Sequence, residues 1–385
     1  MIEKIYVKDY IITYEKFNNY LNTLLKKNKS KFIKDFPIGI TSFGYTIDHY
    51  KIGNGKNHVI VLGATHGTEI ITSYFVLEMI STLLEDTTLY LNLSKNFTFH
   101  FIPILNPEGY IISTSCLPFN FKDYSINEIE KISSKYLKKY NIDDNLASKN
   151  MKVPKLHREV LKASTSFINN TALQKEVDII LKKCKLGGNV TPTWSANGKG
   201  IDINSNSIHK FKEITALRKS QKFAPLRYND IPVTNPSPMS YPGFSTFEKR
   251  CPENLALYKF IDTLFNYNLN YSVKDKLVAI FSYHATGGQI YGFPDNKYSS
   301  LSQISLHLNS MNVYSKYTGY SKINETLKYG IMDFYRIVLD DVLCLTIELS
   351  KKNGNPIGPL SNIEDFNKDI INNKLAIFKT IENLI

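Results

Sequence analysis

Four residues of this 385-residue chain could share one chemistry. His66 and Glu69 lie three positions apart in "VLGATHGTEI", where an apolar run gives way to a helix-like one. His284 closes the apolar run of "FSYHATGGQIYG", and Glu348 stands inside "LCLTIELS". Two imidazole nitrogens and a carboxylate oxygen are the ligand set of a catalytic zinc ion that keeps one position for water. Such an ion lowers the pKa of its water and polarises a carbonyl, and a second carboxylate can take the proton. Glu348 suits that last role, because an ionised carboxylate in an apolar strand costs several kcal/mol unless something compensates it. Taken singly, each residue has a plainer reading: a helix-start carboxylate beside a hydrogen-bonded histidine, a satisfied strand-end histidine, a glutamate answering a lysine. Their order along the chain favours the joint one.

Those residues need a scaffold, and the hydropathy pattern supplies an α/β one. "HVIVLGA" (58–64) and "FTFHFIPIL" (97–105) are β-branched and aromatic runs on either side of a helix starting near Thr68, which makes a strand–helix–strand unit. Their near-continuous apolarity predicts a sheet covered on both faces. "LVAIFSY" (277–283) and "VLCLTIEL" (342–349) predict two more buried strands, with a helix over 301–317 between them. An amphipathic helix is expected after Thr13, with Tyr14, Phe17, Leu21, Leu24 and Leu25 on one face. The expected architecture is a single domain over 1–385: a mixed, largely parallel central sheet flanked by helices. Ligands bind outside the carboxyl ends of the strands of such sheets, which is where His66, Glu69 and His284 fall. Residues 123–186 break the rhythm with lysine-rich helical patterns such as "INEIEKISSKYLKKY" and "ALQKEVDIILKKC". This reads as a helical insertion: a lid, a wall of the cleft, or a solvated decoration.

Composition narrows the partners. The 47 Lys+Arg against 35 Asp+Glu give a net charge of +12, which favours anionic partners. Only five of the basic residues are arginine (Arg158, Arg218, Arg227, Arg250, Arg336), so the charge is a lysine surface rather than a nucleic-acid reader. No uncharged apolar run is long enough to span a membrane. The N-terminal "MIEKIYVKDYIITYEKF" lacks the apolar core of a secretory signal, and Cys116, Cys184, Cys251 and Cys344 form no C-x-x-C pair. Together these predict a cytoplasmic protein, with spore or wall association after release as the alternative.

The segments "GATHGTEIITS", "PILNPEGY", "ANGKGIDINSN", "FSYHATGGQIYG" and "LCLTIELS" occur in the order of the zinc metallocarboxypeptidases, which the chain resembles from about Tyr14 onward outside the insertion. Within that family "TWSANGKGIDIN" and "YPGFSTFEKRCPENLAL" look most like the bacterial γ-D-glutamyl-L-diamino acid endopeptidases, which cut the stem peptide of peptidoglycan. The resemblance implies one Zn2+ held by His66, Glu69 and His284, and Glu348 as general base and then proton donor to the leaving amine. It makes Asn204 a substrate-carboxylate contact and Tyr329 a residue closing over the substrate, with Phe334 and Tyr335 along the cleft.

Two departures from the family pattern bear on the substrate. Ser205 stands where the family has an arginine for a free α-carboxylate, and a hydroxyl cannot replace a bidentate guanidinium. The oxyanion arginine expected before "GIDIN" is also missing, leaving Lys199 or the distant Arg336 as substitutes. The expectation is therefore a zinc peptidase cutting a γ-D-glutamyl bond to a diamino acid (meso-diaminopimelate or lysine) in stem peptides or muropeptides. The alternatives are a zinc amidohydrolase on small N-acyl amino acids and a catalytically dead wall-peptide binder.

Overall fold

The computed structural model describes residues 2–8, 13–115, 165–184, 186, 191, 193–206, 235–239, 241–243, 250–266, 276–294, 299–323, 330–339, 341–350 and 363–384. Helix α1 (Tyr14–Lys27) starts at Thr13, whose hydroxyl accepts from Lys16 N, and buries Phe17 and Leu21 from its apolar stripe. Short strands β1 (Phe32–Lys34), β2 (Gly39–Ile40), β3 (Thr46–Ile47) and β4 (Tyr50–Ile52) lead into β5 (Asn57–Leu62). Helices α2 (Ile70–Glu85) and α3 (Thr87–Ser94), strand β6 (Phe97–Ile102) and helix α4 (Pro107–Ser115) follow. Then come α5 (Thr171–Lys183), α6 (Pro252–Asn266), β7 (Lys276–Ala285), β8 (Gln289–Tyr291) and α7 (Leu301–Thr318). Strand β9 (Ser321–Ile323), helix α8 (Ile331–Val338), strand β10 (Leu343–Leu349) and helix α9 (Ile363–Glu382) complete the described elements.

Eight strands form one sheet in the order β1-β4-β6-β5-β7-β10-β8-β9, and β2 and β3 form a separate two-stranded ribbon. The central pairs β6/β5, β5/β7 and β7/β10 are parallel, whereas β1/β4, β4/β6 and β10/β8 are antiparallel. The expected mixed, largely parallel α/β sheet is what forms. The four long strands match the predicted runs to within a few residues. The three-residue strands β1, β4, β8 and β9 were too short to carry a readable alternation.

The pleat sorts each central strand onto two faces. Val59 and Val61 of β5, Phe281 and Tyr283 of β7, and Leu345 and Ile347 of β10 join one core with α2, α7 and α9. Ile60 and Leu62, Ile280, and Cys344 join the other with α6 and α8. Fifteen of the sixteen residues of α2 are buried, so it is a core helix rather than an amphipathic one. The described end of the expected insertion, helix α5, packs on the domain. Leu173, Val177, Ile180 and Leu181 of α5 form a third cluster with Ile112 and the fully buried Trp194. Residues 123–164, and with them Cys116 upstream, lie outside the described residues. Cys184, Cys251 and Cys344 are free thiols, the latter two buried. No helix among the described residues is long and apolar enough to cross a membrane.

Candidate metal centre

Strand β5 ends at Leu62, and the chain turns sharply through Ala64, whose φ of 42° is a conformation L-residues rarely adopt. The turn holds because Ala64 N donates to Thr72 Oγ1 at 2.7 Å and Ala64 O accepts from Asn106 N at 3.0 Å. Asn106, from "NPEGY", is a hub: Nδ2 donates to Thr65 O, Ser195 O and Ala196 O at 3.1–3.3 Å, while Oδ1 accepts from Gly109 N at 2.8 Å. Gly67 then passes so close to the start of α4 that a Cβ there would lie 2.2 Å from Gly109 C. Glu69 is the N-cap residue of α2, yet its carboxylate makes no cap bond. It turns instead toward the histidines.

The predicted ligands converge. His66 Nδ1 lies 2.8 Å from Glu69 Oε1, His284 Nδ1 lies 3.2 Å from Glu69 Oε2, and the two Nδ1 atoms are 3.3 Å apart. One ligand atom from each of the three residues falls within 4.8 Å of the others. Burial alone would lower His66, but Glu69 and Asp202 outweigh it and raise it well above the usual imidazole range. Burial would likewise raise Glu69, but His66 and His284 draw it down to about 2. The cluster thus favours a positive charge among its carboxylates. The donor set fits a divalent cation on two counts. Two ring nitrogens turned to one another at 3.3 Å can share only one proton, whereas an ion accepts both lone pairs. The buried Glu69 Oε2 also makes no well-directed hydrogen bond, although His284 Nδ1 lies 3.2 Å away, and a metal–oxygen bond would satisfy it.

Glu348 joins this group through sheet register. Strand β10 pairs in parallel with β7 so that Glu348 stands opposite His284. Glu348 alternates with the inward Ile347 and Leu349, which puts it on the face of the sheet that carries His284. Burial and the charge of Glu69 push its carboxyl up to about 8, with His66 opposing. A cation at the ligand set would pull in the same direction as His66.

Behind the ligands stands a residue the sequence reading did not single out. Asp202 Oδ1 lies 3.2 Å from His66 Nε2, and a carboxylate on the far nitrogen of a ligating imidazole fixes its tautomer and ring orientation. The only signal was an aspartate inside "GKGIDIN", a segment quoted for its asparagine. The loop is anchored by Asn197, whose Oδ1 accepts from Lys199 N and Ile201 N at 3.0 Å and whose Nδ2 donates to Glu253 Oε2 at 3.1 Å.

The residues expected to bind substrate are placed differently from one another. Asn204 Oδ1 accepts from Ile331 N at 3.0 Å, so its side chain caps the start of α8. Ser205 is buried, and its hydroxyl donates to Asp202 Oδ2 at 2.7 Å. Lys199 Nζ lies 3.4 Å from Glu176 Oε2 on α5 and 4.8 Å above the Phe43 ring, contacts that hold it at the insertion. Arg336 is buried under α8, donating from Nε to Cys344 O at 2.9 Å, from Nη1 to Asp333, and from Nη2 to Tyr291 O and Thr346 Oγ1. Its guanidinium is spent on the fold rather than offered to an oxyanion. Tyr335 is likewise a core residue and not a cleft wall, while Phe334 meets Tyr258 at a tilt and Tyr335 edge-on. Tyr329 lies outside the described residues.

Comparison with known proteins points to one family. The family model described as zinc carboxypeptidase, Peptidase_M14, matches residues 18–353. No curated protein matches significantly. Among solved structures, carboxypeptidase A from Helicoverpa armigera superposes with a TM-score of 0.57 at 15% identity, covering 100% of this chain and 74% of that one. Bovine thrombin-activatable fibrinolysis inhibitor, solved with tick carboxypeptidase inhibitor, gives 0.55 at 14% identity, covering 100% and 98%. A metallo-carboxypeptidase from Burkholderia cenocepacia gives 0.52 at 12% identity, covering 98% and 71%.

Proposed function

We propose, from the premise that the chain belongs to the zinc carboxypeptidase family, that this zinc metallopeptidase cleaves an internal amide of peptidoglycan stem peptides, the bond from a γ-linked D-glutamate to a diamino acid. The observation that carries the reading is the commitment of Ser205. At the position where the resemblance expects a guanidinium for a free α-carboxylate, a buried hydroxyl donates to Asp202. That supports a substrate whose chain continues past the scissile bond, because a hydroxyl committed to Asp202 offers a terminal carboxylate no guanidinium to pair with. The net charge of +12 supports a polyanionic wall or its fragments as the surrounding milieu.

His66, Glu69 and His284 would hold the zinc ion. When bound, it supplies a Lewis acid for the scissile carbonyl and an acidified water. Glu348, on the same sheet face as His284, receives the proton of the attacking water and returns it to the leaving amine. Burial and Glu69 push its carboxyl up, and a bound cation would draw it back down, toward the ionised form that a base needs. Asp202 keeps the His66 ring turned toward the ligand point. The proposed setting is the cytoplasm, acting on recycled muropeptides, or the wall after release.

The test is mass spectrometry of a defined muropeptide mixture digested by the zinc-loaded protein. Fragments ending at γ-D-glutamate are expected. Release of single C-terminal residues instead would make the enzyme an exopeptidase, and no release from any stem length by fully zinc-loaded protein would sink the proposal.

A further inference from the structure

We infer that Ser205 is a positioning residue of the metal centre, acting through Asp202. Three contacts carry the inference. Asp202 Oδ1 faces His66 Nε2 at 3.2 Å and also accepts from Ser205 N at 3.2 Å, while Oδ2 accepts from Ser205 Oγ at 2.7 Å. The carboxylate is therefore gripped at both oxygens by one residue, one grip from the backbone and one from the side chain. Asp202 N donates to Tyr241 O at 2.7 Å, and Asn206 N donates back to Asp202 O at 2.9 Å, so the backbone beneath is closed into a turn. The Ser205 hydroxyl opposes rotation of the Asp202 carboxylate away from His66. Both residues are buried. A charge-assisted hydrogen bond there is stronger than one in water and costs no fresh desolvation when the metal arrives.

The consequence is a change of duty at this position. A residue whose place along the chain suggests substrate recognition instead stiffens the support of a ligand. A loosened Asp202 would let the His66 ring swing and would weaken metal binding, because outer partners of ligating histidines typically contribute about 10–100-fold in affinity. The inference depends on the metal site but not on which peptide is cut, so its failure and that of the proposed substrate are separate results.

The test is a double-mutant cycle on zinc affinity, measured by competition with a chromophoric chelator on full-length protein confirmed folded by its melting transition. Ser205→Ala removes the hydroxyl and keeps the backbone N–H bond to Asp202. It is expected to weaken zinc binding measurably, by less than the about 10–100-fold that loss of the Asp202 contact itself would cost. In an Asp202→Asn background the same change is expected to have little further effect, because the residue it acts through is already altered. Wild-type affinity in Ser205→Ala overturns the inference. So does an undiminished loss in the Asp202→Asn background, which would mean that Ser205 acts by another route. Should Ser205→Ala melt before titration, Ser205→Cys, which keeps only a weak donor, is measured instead: it must bind zinc more weakly than the wild type and lose little further in the Asp202→Asn background, and wild-type affinity overturns the inference.

Discussion

Glu348 stands opposite His284 in the parallel register of β10 and β7, so one pleat carries a candidate metal ligand and the proposed general base side by side. Adjacent strands lie about 4.8 Å apart, which brings the carboxylate near the ligand set without making it part of that set. Glu348→Gln keeps the shape and removes the base. The expected outcome is full zinc content with kcat lowered by about 10²–10⁴. Metal analysis alongside steady-state kinetics reads both numbers. A variant that lost zinc would make Glu348 a ligand instead.

Gly67 controls whether the ligand turn can close. A methyl group there would lie 2.2 Å from Gly109 C and 2.3 Å from Gly109 O, backbone atoms at the start of α4 that cannot rotate away. Gly67→Ala must therefore push the 65–69 turn off the Asn106 hub. Overpacking of this kind costs about 1–3 kcal/mol, and the displaced turn carries two of the three ligands. Loss of bound zinc is expected to exceed what the drop in melting temperature alone would explain. Equilibrium dialysis below the melting transition separates the two.

How much of this was legible in the sequence follows from where each signal lives. His66, Glu69, His284 and Glu348 were legible because polar residues at the ends of apolar strands are costly and demand a reason, and parallel strands bring those ends to one edge. Asp202 was not, because a single aspartate in a polar loop costs nothing until the loop is folded against His66. Ser205 was read by position, and position says nothing of the direction in which a hydroxyl points. Arg336 failed as an oxyanion donor because its neighbours Asp333, Cys344 and Thr346 consume the guanidinium, two of them from a strand that comes beside α8 only in the fold. The short strands escaped because two or three residues carry no period.

Glu253 predicts a pH dependence of stability. Burial, then the nearby Glu108, pushes its carboxyl up to about 8. In the unfolded chain it titrates near 4.3. Between those values the native state holds a proton that the unfolded state has lost, so its contribution to stability is complete below the unfolded pKa and is lost as pH rises through 8. Glu253→Gln keeps a partner for Asn197 Nδ2 and cannot ionise. Denaturant titrations of the two proteins from pH 5 to 9 are expected to diverge, with the variant gaining on the wild type as pH rises. Parallel curves would mean that Glu253 is ionised in the fold.

The ion pair of Glu78 and Lys374 tests the opposite side of the sheet. Both side chains are fully buried, with Nζ 2.9 Å from Glu78 Oε2, and Glu78 Oε1 accepts from Tyr6 N and Val7 N. The lysine also donates to Thr82 Oγ1 at 3.1 Å and to Lys4 O, so one cation ties α2 and α9 to the N-terminal segment. Lys374→Met leaves a buried carboxylate without its counter-charge and should cost about 3–5 kcal/mol. Adding Glu78→Leu removes the stranded charge and should return part of that loss, although Tyr6 N and Val7 N then lack their acceptor. Urea midpoints of wild type, single and double variants measure the order. A single variant as stable as the wild type would mean that the pair contributes nothing net to the fold. Zinc affinity should stay the same in every variant that folds, because this pair does not touch the ligand set.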